Sequence, residues 1–177
     1  MRITAGSMRS RIVPVANVPG LRPTPAKVRQ AMFNMLGPID GFDLLDLYSG
    51  SGIIALEALS RGAKSATSIE HNHIAIKSLK QSRQLLKLED HWDIQQTSVE
   101  KALKFLAGLS FDLIFADPPY AQGEAEKVIQ LLDQYDISCQ QLVIEESSRY
   151  EPFWPQGWVC QDSRRYGDSS LHFLLRK

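Results

Sequence analysis

The chain has 177 residues, 44% of them hydrophobic, with 20 basic and 20 acidic side chains and a formal net charge of zero. That length fits one domain with a full core, no run approaches the roughly 18 apolar residues of a membrane span, and the start lacks the apolar centre of a signal peptide. Cys139 and Cys160 form no C-x-x-C pair, so we expect reduced thiols in a cytoplasmic protein rather than a disulfide or zinc framework.

The neutral total conceals an asymmetry. Ahead of Asp40 the chain has no acidic residue, yet it carries Arg2, Arg9, Arg11, Arg22, Lys27 and Arg29. Those are six of the 20 basic residues, which leaves 14 basic against 20 acidic over the rest. Opposite charge in two parts of one chain points to a polyanion-binding arm on a body with another task. A solvated basic face without a partner is the plainer reading. We divide the chain accordingly into a basic extension, residues 1–40, and a body, residues 41–177. In the extension, residues 2–15 read as a short β-rich piece, followed by a Pro/Gly loop and a helix. Thr24 and Pro25 have the form of an N-cap and an N1 proline. Val28, Met32 and Leu36 recur on one helical face, and Gly37-Pro38 ends the helix.

In the body, strand-like runs at about 43–48, 65–70, 93–97, 111–117 and 141–146 alternate with helical stretches at about 52–61, 72–87, 98–107 and 123–135. This alternation predicts an α/β fold with a parallel sheet. Two further strands, near 158–162 and 170–176, have no helix between them. They must pair as a hairpin, which adds an antiparallel strand to an otherwise parallel sheet of seven.

The chemistry-bearing residues fall at strand ends. Asp46-Leu-Tyr48-Ser49-Gly50-Ser-Gly52 follows the first strand, where glycines let a ligand approach the backbone and a helix start offers N–H donors. A dinucleotide site would want a third glycine at position 55, where Ala55 stands. An acid four residues before the first glycine suits a ligand with a positive amine instead. The ammonium and carboxylate of S-adenosylmethionine would use both features. Glu70, with His71 beside it, closes the second strand, where a carboxylate can hold both hydroxyls of a ribose. An adenine would then lie near Ser98 and Val99, after the third strand. His71 and His73 lack a third ligand nearby, so no metal site is predicted.

Asp117-Pro118-Pro119-Tyr120 follows the fourth strand of the body. Two prolines remove two N–H donors, keep their carbonyl acceptors and stiffen the turn. An acceptor-only carboxylate, stiff carbonyls and an aromatic face together suit a planar group bearing an NH2, such as a nucleobase amine. Asp117, Pro118 and Tyr120 are the candidate catalytic residues.

These motifs resemble class I S-adenosylmethionine-dependent amino-group methyltransferases with a Rossmann-like fold. Arg22-Pro-Thr24, Val28-Arg29, Phe33-Asn34, the Glu57-Ala-Leu-Ser-Arg-Gly62 block and Tyr166-Gly167 are similar to the bacterial RsmD family, which methylates guanine N2 in 16S ribosomal RNA. Arg9-Ser10-Arg11 stands where that family usually has Arg-Gly-Arg, and Ser98 where an acid or amide is common. The resemblance implies direct methyl transfer without a covalent enzyme intermediate, with Asp117 and the Pro118 carbonyl accepting the amine's N–H bonds. It also implies that Tyr120 stacks on a flipped base. The RNA, expected within a small-subunit assembly particle, would meet Arg9, Arg11, Arg22, Thr24 and Arg29, with neither a membrane nor a metal as partner. Thr24 keeps two readings, a helix cap or a role near the cofactor. Alternatives are a DNA adenine-N6 methyltransferase, a protein glutamine methyltransferase, and a catalytically inactive RNA-binding module of the same fold.

Overall fold

Each strand-like run of the body enters one sheet. The computed structural model describes residues 1–18, 23–120 and 122–177. Its elements are α1 (Ala26–Leu36), β1 (Asp43–Leu47), α2 (Ile53–Ser60), β2 (Ser65–Glu70), α3 (His73–Leu86), β3 (Trp92–Gln96), α4 (Val99–Phe105), β4 (Ser110–Ala116), α5 (Glu124–Gln134), β5 (Ser138–Ser147), β6 (Trp158–Tyr166) and β7 (Ser169–Arg176). The strand order is β3-β2-β1-β4-β5-β7-β6. Strands β1 to β5 pair in parallel, while β7 pairs antiparallel with both β5 and β6. This is the expected Rossmann-like sheet with its C-terminal hairpin.

Apolar residues cover both faces of the sheet. One cluster joins Leu44, Phe115 and Val143 of the strands to Ile53, Leu56 and Leu79 of α2 and α3. The other joins Leu45, Ile114 and Leu142 to Leu103, Val128 and Leu132 of α4 and α5. A parallel sheet needs both faces covered, which is why the middle residues of β1 and β4, Leu44-Leu45 and Leu113-Ile-Phe115, are apolar and buried.

All eight residues of α2 are buried. A helix with no solvent face must be enclosed on every side, and here the sheet covers one face and the N-terminal extension the other. Ile3, Val13, Val28, Met32 and Phe33 belong to the same core as α2. The extension therefore shares its core with the body. Glu57, fully buried, is the polar anchor: it accepts from the Thr4 N–H at 2.8 Å and the Thr4 hydroxyl at 3.0 Å, and pairs with Arg29 at 3.2 Å and Arg61 at 3.5 Å. Ser7 N–H donates to the Ser60 carbonyl at 2.7 Å. Gly6 passes so close that a Cβ would lie 1.7 Å from that carbonyl oxygen, at φ +80°.

Three expectations change. The β-rich piece over residues 2–15 reduces to a single bridge, Arg2 to Ile12, because several of its backbone donors are committed to α2 instead. Thr24 does not cap α1, whose N-cap is Pro25 with no side-chain cap bond. Strands β5 and β6 are longer than their apolar runs. Ser138–Gln141 extends β5 alongside Ser110–Leu113 of β4, and the polar Asp162–Arg165 segment belongs to the sheet edge, where charged side chains face solvent.

Candidate active site

Strand order reverses between β1 and β4, which opens a crevice at the carboxyl ends of the strands. Four neighbouring strands, β2, β1, β4 and β5, each bring an acid there: Glu70, Asp46, Asp117 and Glu145. Asp46 is 1% exposed and lines the crevice. Its Oδ2 accepts from the Ser68 hydroxyl at 3.4 Å, and Ser68 in turn accepts from the Trp92 indole at 2.9 Å. Its Oδ1 has no hydrogen-bond partner among the described residues. Burial pushes the carboxyl up to about 7, against the pull of the Ser49 and Ser68 hydroxyls. A buried carboxyl with an unpaired oxygen on a cavity wall fits the ammonium of an amino acid moiety.

The loop from Tyr48 to Gly52 forms the floor. Gly52 has φ +69°, and a Cβ there would meet the Trp92 ring at 2.8 Å, so both conformation and space require glycine. Glu70 is fixed by two backbone donors, Gly50 N–H to Oε2 at 2.8 Å and Asn72 N–H to Oε1 at 2.7 Å. Each of its oxygens keeps a second lone pair, so a ribose diol can still bind.

The crevice holds two adjoining cavities of about 700 and 180 Å³, and Tyr48, Glu70 and His71 line both. The Tyr48 hydroxyl donates to Glu124 at 3.3 Å, which ties the β1 loop to α5. Ser98 and Val99 line the smaller cavity. The Ser98 hydroxyl is occupied by the Lys101 N–H at 3.4 Å, so it serves as the cap of α4. His71 stands at the rim with its ring 79% exposed, Nδ1 lying 3.3 Å from Glu70.

The larger cavity continues from Asp46 to Asp117, Pro118 and Tyr120. Asp117 leaves β4 with its N–H donating to the Leu47 carbonyl at 3.4 Å, which aligns the turn with the end of β1. Burial, with the nearby carboxylates of Glu145, Asp46 and Glu146, holds the Asp117 carboxyl well above the usual carboxylate range. Pro118 is buried, whereas Tyr120 is 38% exposed. The Tyr120 hydroxyl donates to Glu145 Oε1 at 3.0 Å, and the Thr24 hydroxyl donates to Glu145 Oε2 at 3.2 Å. One cavity thus joins the buried acid Asp46, the backbone-held acid Glu70 and an acceptor-rich turn with an aromatic ring.

Residues 1–175 match the family described as conserved hypothetical protein 95. The ribosomal RNA small subunit methyltransferase D of Escherichia coli is 36% identical over 183 residues, covering 100% of this chain and 90% of its own length. The chain belongs to this family. The methyltransferase D of Haemophilus influenzae is 35% identical and covers 94% of this chain and 89% of its own length. The solved structure of yhhF from Escherichia coli superposes with a TM-score of 0.88 at 32% identity, covering 100% of this chain and 98% of that one. SMU.776, solved in complex with SAH, has a TM-score of 0.66 at 16% identity, covering 84% of this chain and 48% of that one, and speaks for the fold alone. By family and fold the protein is a methyltransferase.

Within this methyltransferase D frame the arginines of the extension separate into two groups. Arg9 and Arg11 are exposed. Arg22 lies outside the described residues. Arg29 is 2% exposed: its guanidinium bonds Glu57 and donates to the carbonyls of Thr24 at 2.6 Å and Arg2 at 2.8 Å. Arg29 is therefore a structural cation and not a phosphate contact, because all its donors point into the protein. Thr24, 6% exposed, also faces inward and lines the larger cavity. Ser10, where the family usually has glycine, has φ +68°, the left-handed conformation that glycine tolerates best. Glu145 is a site residue that sequence reasoning missed. Its signal was an acid ending the apolar run Leu142-Val-Ile, at the same sheet end as Asp46, Glu70 and Asp117.

Proposed function

We propose that this protein transfers the methyl group of S-adenosylmethionine to the exocyclic N2 amine of a guanine in 16S ribosomal RNA. The observation that carries the reading is the continuity of one cavity from Asp46 to Asp117, Pro118 and Tyr120. Asp46 would hold the ammonium on its unpaired Oδ1, the Gly50–Gly52 loop the carboxylate, and Glu70 the ribose hydroxyls, while the base would occupy the smaller cavity beside Val99. When bound, the donor supplies an electrophilic methyl group on a sulfonium.

The residues of the chain then have the harder task of making a weak nucleophile attack. The lone pair of guanine N2 is delocalised into the ring. By accepting the amine's N–H bonds, Asp117 and the Pro118 carbonyl direct the remaining lone pair along one line and stabilise positive charge growing on nitrogen. Both prolines keep the turn from contributing a competing donor. The ring of Tyr120 offers a stacking face at the cavity mouth for a base taken out of its helix.

Arg9 and Arg11 are the described candidates for phosphate contact in the extension. The Gly6–Arg9 turn sits at the C-terminal end of α2, which at 1.5 Å per residue is about 12 Å from the loop that opens the cavity. One RNA can span that distance and touch both, and we take that RNA to lie within a small-subunit assembly particle. Such a protein works in the cytoplasm.

The test is transfer of radiolabelled methyl from S-adenosylmethionine to small-subunit RNA, DNA and protein in parallel. Label is expected in the RNA and only there.

A further inference from the structure

Glu145 has no part in the transfer just described, yet it joins the two segments on which that transfer depends. It follows Ile144, which pairs with Ala116, so it stands beside Asp117 at the sheet edge of the crevice. It is 4% exposed and lies behind the cavity wall, which Thr24 and Tyr120 form in front of it. Its two oxygens divide their donors cleanly. Oε1 takes the Tyr120 hydroxyl at 3.0 Å from the turn after β4, and Oε2 takes the Thr24 hydroxyl at 3.2 Å from the extension.

A purely structural position would not favour a carboxylate here. A buried carboxylate next to the Asp117 carboxyl raises the cost of charge on Asp117, and an apolar or neutral side chain would avoid that cost. What a carboxylate offers is acceptance without donation. Both hydroxyl protons are committed to it, so the oxygens of Thr24 and Tyr120 keep their lone pairs for other donors at the cavity wall. The Thr24 carbonyl is held as well, by Arg29 at 2.6 Å, and Arg29 is anchored on Glu57 of α2. The extension, the crevice wall and the catalytic turn are thereby linked through one side chain.

We propose that Glu145 is a positioning residue for methyl transfer: it clasps Thr24 of the extension and Tyr120 of the catalytic turn, so that the stacking ring is oriented only when the extension is seated. The proposal rests on the methyl-transfer function proposed for this site. It implies that Glu145 acts through Tyr120 and Thr24 and not on the reacting amine itself.

The experiment combines turnover on small-subunit RNA with hydrogen exchange on the whole 177-residue chain, for wild type, Glu145→Gln, Glu145→Ala, Tyr120→Phe and the Glu145→Ala, Tyr120→Phe double variant. Glu145→Ala is expected to lower kcat about 10- to 100-fold through misplacement of the ring, with S-adenosylmethionine affinity within threefold of wild type. Glu145→Gln, which keeps one acceptor, should retain more activity than the alanine variant. The Glu145→Ala, Tyr120→Phe double variant should lose no more than the worse single one, because both changes break the same hydrogen bond. Amides at Thr24, Ala26 and Tyr120 should exchange faster together in Glu145→Ala. Multiplicative losses in the double variant, or exchange unchanged at both segments, would overturn the clasp. If wild type labels no RNA, the methyltransferase reading on RNA fails, and the paired exchange change alone decides whether Glu145 holds the two segments.

Discussion

Asp46 carries a cost that its surroundings do not remove. Its carboxyl titrates at about 7 in the folded protein against 3.8 for an ordinary aspartate, chiefly because it is buried. The folded state therefore holds a proton that the unfolded state releases, so this group's contribution to stability is complete below about pH 4 and is lost as pH rises to about 7. Asp46→Asn should accordingly stabilise the free protein increasingly over wild type between pH 4 and pH 7.5, measured by urea denaturation at each pH. The same variant should bind S-adenosylmethionine at least about a hundredfold more weakly at pH 7.5, since a charged acceptor for the ammonium is gone. A variant neutral in both measurements would leave Asp46 without the proposed role. Asp117 bears on rate instead. Asp117→Ala should lower methyl transfer on the order of a hundredfold or more while cofactor affinity stays within a few fold, because the acceptor acts on the amine and not on the donor. Because burial, with its acidic neighbours, raises its carboxyl, activity should fall off toward acid at a pH above the usual carboxylate range.

At the scale of elements, the body is legible in the sequence because its strands and helices obey simple periods. The helix α2 shows where periodicity misleads: it is buried on every side, so its polar residues Glu57 and Ser60 mark a buried contact and not a solvent face. What covers it is the extension, through Thr4 on Glu57 and Gly6 against Ser60, pairs more than 50 residues apart in sequence. Arg29 misleads for the same reason. An arginine in an acid-free stretch looks like a phosphate contact until Glu57 is seen to be its partner. Thr24 likewise has the local form of a cap, and a long-range acceptor, Glu145, takes its hydroxyl. The packing makes firm demands. Glu57→Ala should cost about 3–5 kcal/mol in chemical denaturation, the penalty for leaving buried Arg29 uncompensated. Gly6→Ala should lower the melting temperature by several degrees, since the new Cβ overlaps the Ser60 carbonyl and must push the extension off α2. A loss below about 1 kcal/mol for Glu57→Ala would mean that the extension is not held as described.

For the whole molecule, charge and fold are coupled. The extension is basic by composition, yet it completes the core, so deleting it would expose α2 and confuse folding with binding. Substituting exposed charges is the cleaner probe. Arg9→Ala with Arg11→Ala should weaken RNA binding and reduce the slope of log affinity against log salt by roughly 0.7 to 0.9 for each phosphate left without its arginine, with the melting temperature unchanged. The class of ligand is legible because Asp46, Glu70 and Asp117 each stand at the carboxyl end of a strand that the sequence pattern marks. The identity of the acceptor base is not, since an amine-binding turn suits adenine, guanine or an amide alike. The most direct measurement is nucleoside analysis of small-subunit RNA after incubation with this protein and S-adenosylmethionine. One new N2-methylguanosine is expected, absent with Asp117→Ala. Methyl groups on another atom or base, or on DNA or protein in place of RNA, would contradict the assignment.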